Sequence, residues 1–68
     1  MLANNISHRR KDLGMTQQQL ADRLGWKVRR IESYEQGERV PPLESAMEIA
    51  DALGATIEEV WYKKGDCT

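Results

Sequence analysis

Apolar side chains recur along this chain at intervals of three and four residues, the spacing that puts them on one face of an α-helix. Ile6 and Leu13 stand one heptad apart. Leu20, Ala21 and Leu24 form a second stripe, and Val28, Ile31 and Tyr34 a third. Leu43, Ala46, Met47, Ala50 and Leu53 form a fourth; Ile57, Val60 and Trp61 close the set. No segment alternates with the period of two that marks a half-buried strand. Leu13-Gly14, Leu24-Gly25, Gln36-Gly37 and Leu53-Gly54 each set a glycine just past a helix end, where the backbone turns left-handed. Helix starts are equally marked. Thr16-Gln-Gln-Gln19 and Thr56-Ile-Glu-Glu59 are capping boxes, and Met15 and Leu20 flank the first at staple positions. Pro41-Pro42 opens a helix and forbids one running through it. The pattern predicts an all-α fold of five short helices, at 4–13, 17–24, 28–36, 43–53 and 57–62.

Composition narrows the class. The 68 residues are 40% hydrophobic and 31% charged, the balance of one soluble globular domain, 1–68, with its core in 4–62 and a short tail, 63–68. No apolar run approaches the ~20 residues of a membrane span, and Met1–Arg10 has no apolar stretch of a signal peptide. The single cysteine, Cys67, excludes an internal disulfide and fits a reducing cytoplasm. With His8 it makes too few ligands for a self-contained zinc site. No convergent set of titratable groups suggests an enzyme. A lone core of under ~70–80 residues rarely supplies more than ~3–5 kcal/mol. Either the local signals are strong, or a second copy helps stabilise the fold.

The net charge is −1, yet it is polarised. Residues 1–34 carry seven basic and three acidic groups, a surplus of four positive charges; residues 35–68 carry three basic and eight acidic groups, a surplus of five negative ones. Such a chain can present a basic face to an anionic partner. The second and third predicted helices are joined only by Gly25-Trp26-Lys27, the short glycine turn of a helix-turn-helix. On a helical wheel Ile31 faces inward, while Arg29 and Ser33 face out, bordered by Arg30, Glu32 and Gln36. A recognition helix reads bases with its N-terminal residues. Arg29 is therefore the first candidate for base reading, toward guanine O6 and N7. Val28 is placed to touch a thymine methyl and Ser33 to reach a base or a bridging water. Glu32 either accepts from cytosine N4 or holds Arg29 in position. Lys27, Arg30 and Arg39 are candidates for phosphate neutralisation, and Gln17 opens a helix whose free amides favour a phosphate.

Arg10 lies within the apolar stripe of the first helix, and Glu35 on the inward side of the third. A partly buried charge demands a partner, so the two are expected to form a structural ion pair tying these helices together. Ile57, Val60, Trp61 and Tyr62 hold more apolar bulk than one short helix buries. They are the expected dimer contact, the other reading being that Trp61 only caps the core.

The string Gly14-Met-Thr-Gln-Gln-Gln-Leu-Ala-Asp-Arg-Leu-Gly25, then Ile31-Glu-Ser-Tyr-Glu-Gln-Gly37, Pro41 and Ile49-Ala-Asp-Ala-Leu-Gly54, closely resembles the Xre/Cro-type helix-turn-helix family of phage repressors and small bacterial regulators. The resemblance covers about residues 4–62. It implies a compact five-helix, phage-repressor-like domain that binds double-stranded DNA as a symmetric homodimer and controls transcription, without cofactor or catalysis; from the chain itself, neither a metal nor a small-molecule effector is expected. It also implies a sugar–phosphate contact for Gln17, a backbone-contacting loop at Arg39, and an Arg–Glu pair matching Arg10 and Glu35. Two positions depart from the family. Lys27 stands where Ser or Thr usually caps the recognition helix. Trp26 replaces a small aliphatic residue, its ring either filling the core or lying against the DNA backbone. The expected function is a sequence-specific regulator, a repressor of a palindromic operator read by helix three. The alternative is an antitoxin-like module that masks a partner protein, because fold alone does not decide function.

Overall fold

Five helices follow the apolar stripes: α1 (Ile6–Asp12), α2 (Gln17–Leu24), α3 (Val28–Gln36), α4 (Leu43–Ala52) and α5 (Ile57–Val60). They are seen in a computed structural model that describes residues 2–63; Met1 and the tail from residue 64 on, Cys67 included, lie outside the described residues. Both capping boxes form: Thr16 Oγ1 accepts from the Gln19 amide at 3.1 Å and Gln19 Oε1 from the Thr16 amide at 2.8 Å. Thr56 and Glu59 repeat the exchange at the start of α5. Each box satisfies two amides that a helix start leaves without partners.

The core gathers Ile6, Leu20, Ala21, Ile31, Tyr34, Ile49, Ala50, Leu53 and Val60, drawn from all five helices and the residue that ends α4. Two apolar stripes reach less far inward than their spacing suggests. Leu13 ends outside α1 and is half exposed, because the helix stops at Asp12. Leu43 and Met47 lie on the outer side of α4, whose inward face is Ser45, Ala46, Ile49 and Ala50.

Among the described residues two three-residue strands join the helices, β1 (Leu2–Asn4) and β2 (Trp61–Lys63), paired antiparallel with Asn4 opposite Trp61 and Ala3 opposite Tyr62. The fifth helix therefore ends at Val60 rather than running to residue 62. The Asn5 amide donates to the Val60 carbonyl at 2.7 Å, and Trp61 turns extended (φ −112, ψ 137) to meet β1. Asn5 Nδ2 donates to the Glu59 carbonyl and Asn4 Nδ2 to the Tyr34 carbonyl at 2.9 Å. The first residues are thus stitched to both α5 and the end of α3. No helix among the described residues is long and apolar enough to cross a membrane.

Candidate nucleic-acid interface

The segment from α2 to α3 is built to hold one helix outward. Gly25 closes α2 in the left-handed region (φ 72), with its own amide on the Asp22 carbonyl and the Trp26 amide on the Ala21 carbonyl at 2.9 Å. A side chain at that φ is strained, so the turn requires glycine. After it the chain runs extended through Lys27 and enters α3. Lys27 offers no side-chain cap, and none is formed. α3 ends at Gly37, again left-handed (φ 78), which sends the chain into the loop carrying Arg39.

The outward face of α3 borders an open groove of about 670 Å3 lined by Trp26, Lys27, Arg29, Arg30, Ser33, Tyr34, Glu38 and Arg39. Lys27, Arg29, Arg30 and Arg39 are exposed; Ser33, Glu32 and Val28 are half-buried, Val28 packing against the core. Four cationic side chains meet there against Glu38, so the groove is positive despite the net charge of the chain.

The two adjacent arginines behave differently. Arg29 stands free at the groove, in no side-chain hydrogen bond or ion pair among the described residues. Arg30 is held by the protein. Its guanidinium lies 3.8 Å from the centre of the Trp26 ring, its Nε donates to Tyr34 Oη at 3.2 Å, and one terminal nitrogen donates to Ser45 Oγ at 2.8 Å. Trp26 therefore does not simply fill the core; it packs partly against it and presents a ring face to Arg30. Ser45 and Tyr34 join the site beyond the residues expected there. The signal for Ser45 is a hydroxyl one turn before Ile49 on the inward side of α4, where a buried polar group must find a partner.

Behind the groove the structure brings Arg10 and Glu35 together. Arg10 Nε donates to Glu35 Oε2 at 2.9 Å, and the side chains are only 10% and 7% exposed. Arg10 also donates to the Met15 carbonyl at 2.8 Å. Gln17 Nε2 donates to Glu35 Oε1 at 3.1 Å. Gln17 is thus oriented by the pair, at the N-terminus of α2 where free amides and the helix dipole favour an anion.

The four residues expected at a dimer contact divide. Val60 is wholly buried in its own chain and presents no surface to a partner. Ile57 and Trp61 are half-buried and Tyr62 is exposed. Ile57 and Trp61 line an apolar depression with Val40, Pro41, Leu43 and Ala46, beside the exposed Met47.

Comparison with known proteins agrees with this architecture. Residues 6–60 match the helix-turn-helix family HTH_3. The cryptic phage CTXphi transcriptional repressor RstR of Vibrio cholerae is 36% identical over 59 residues, covering 87% of this chain and 53% of the repressor. This chain therefore spans about half the length of that relative. An uncharacterized HTH-type transcriptional regulator of Methanothermobacter thermautotrophicus is 42% identical over 62 residues, 90% of each chain. Another, from Sinorhizobium fredii, is 30% identical over 60 residues, 88% of this chain and 78% of its own. With the matched region running from α1 to the end of α5, the chain belongs to the Xre-type helix-turn-helix family HTH_3.

Proposed function

We propose that this chain is a sequence-specific DNA-binding regulator of transcription that acts as a homodimer on a two-fold symmetric operator. The observation that carries the reading is the unengaged Arg29 on the outer face of α3, within a groove it shares with Lys27 and Arg39. Arg29 reads a guanine edge in the major groove, flanked by Val28, Glu32 and Ser33. Lys27, Arg39 and the Gln17 end of α2 hold the phosphates on either side. Arg10 and Glu35 are structural, keeping Gln17 and α3 in one rigid frame. No covalent chemistry is involved; the protein works by occupying its site. The Vibrio cholerae relative is named a transcriptional repressor, which supports repression as the direction of control.

The apolar depression of Leu43, Ile57 and Trp61 is the self-association face, with the exposed Tyr62 beside it on β2, since two recognition helices must fall ~34 Å apart to read successive turns of DNA. Sedimentation of the protein with a labelled duplex, over a series of salt concentrations, tests both parts. The expected complex holds two chains, its affinity falls linearly with the logarithm of salt, and Leu43→Glu reduces it to weak single-chain binding. Absence of affinity for any duplex at low salt refutes the reading.

A further inference from the structure

Helix α3 begins without a capping side chain, yet a side chain near its start ties it to the preceding turn and to α4. Lys27, at the cap position, makes no side-chain bond to the first turn. The restraint comes instead from Arg30, the third residue of α3, within that first turn. Arg30 stacks over the indole of Trp26, the residue just before the cap, at 3.8 Å from the ring centre. Its Nε–H donates to Tyr34 Oη one turn further along α3, and its terminal nitrogen to the buried Ser45 Oγ on α4. Trp26 and Tyr34 meet edge to face, with ring centres 6.2 Å apart. One planar group thereby links the turn, two levels of α3 and the helix behind it.

From this geometry we infer that Arg30 is a positioning residue for the recognition helix: it ties the uncapped start of α3 to the Trp26 ring and locks the pose of α3 against α4, rather than serving as a phosphate contact. The inference deepens the proposed DNA-binding function and rests on it for its effect on affinity. Only a guanidinium does all three tasks together. Lysine keeps the positive charge, but it lacks the flat face for stacking and the fork that reaches two acceptors at once. Ser45 is buried beneath α3, out of reach of DNA, and belongs to the same clamp.

The test compares Arg30→Lys, Ser45→Ala and the double variant with the unaltered protein. The readouts are duplex affinity against salt concentration and the indole N–H resonance of Trp26. Arg30→Lys is expected to lower affinity about tenfold, with Ser45→Ala lowering it severalfold and the double variant no weaker than Arg30→Lys alone, the signature of two residues acting as one unit. The salt dependence stays as steep as before, and the Trp26 resonance shifts in both single variants. Full-strength binding by Arg30→Lys overturns the inference. So does an Arg30→Met variant whose log–log salt slope is shallower by about 0.9, the share of a single neutralised phosphate, while Ser45→Ala binds as the parent does. If no variant binds DNA, the regulatory function fails, and the clamp is then judged by the Trp26 resonance alone. An unmoved resonance in Arg30→Lys sinks it.

Discussion

Replacing Glu35 with glutamine removes one charge from a site where both side chains of the pair are largely buried, and its cost follows from the contacts. Glu35 Oε2 accepts from Arg10 Nε at 2.9 Å, while Oε1 accepts from Gln17 Nε2 at 3.1 Å and from an Arg10 terminal nitrogen at 3.4 Å. A carboxamide has one acceptor oxygen, so in either orientation its NH2 faces an Arg10 nitrogen, donor against donor, while Gln17 can turn its own amide to accept. The guanidinium is left buried without a counter-charge, and breaking a buried pair from one side costs ~3–5 kcal/mol. Arg10 keeps the Met15 carbonyl at 2.8 Å and Ser7 Oγ at 3.4 Å as acceptors, which puts the loss at the lower end, ~3 kcal/mol. In a domain of this size each kcal/mol moves the melting temperature by ~4–8 °C, so Glu35→Gln should melt roughly 12–24 °C lower. Since so small a core supplies only ~3–5 kcal/mol, the variant should be measurably unfolded at room temperature. Urea and thermal denaturation followed by circular dichroism measure this directly. A change within ~0.5 kcal/mol, the range of an ordinary surface substitution, would refute the reasoning. Exchanging both partners for apolar residues, Arg10→Met with Glu35→Leu, should recover much of the loss, because no orphaned charge remains.

Two further outcomes follow from the helix starts. Thr16→Ala removes the hydroxyl that the Gln19 amide bonds and should cost ~1 kcal/mol; a melting curve unchanged from the parent would contradict the cap's role. Glu59 is held below the ordinary glutamate range, first by the Thr56 amide that donates to its carboxylate and then by Arg9, 3.6 Å away. Its folded value lies below the unfolded one, so its contribution is present above the ordinary glutamate value and is lost as pH falls through the lowered one. Glu59→Gln should therefore lose its stability difference from the parent as the solution is acidified. Melting temperatures of the two that stay equally far apart down to strong acid would show the carboxylate is not responsible.

Helices α2 and α3 are legible to the residue because their ends carry sequence signals: Thr16 and Gln19 at one start, and Gly25 and Gly37 where left-handed backbone is required. The strands leave no such trace. At three residues each they are too short to show alternation, and they exist because Asn4 and Asn5 hold the first residues against Tyr34 and the end of α5. That long-range pairing converts Trp61 and Tyr62, which look like the end of a helix, into an edge strand. The inward spacing of Arg10 and Glu35 marks them as a pair, since each charge stands in an apolar stripe. Arg30 cannot be separated from Arg29 by position alone. Neighbours on one helix face differ only through what packs beside them, and the partners of Arg30 lie in the preceding turn and on α4.

We propose above all that α3 reads DNA sequence with Arg29. Selection of bound duplexes from a random pool at about physiological salt, carried out in parallel with Arg29→Ala, tests it most directly. The expected result is enrichment of a two-fold symmetric site with half-site centres about 10 bp apart. In the variant, preference at one base pair of each half-site should relax by ~1–3 kcal/mol while the rest of the site persists. Enrichment of the same site with every preference intact in Arg29→Ala, or no enrichment by either protein, would contradict it.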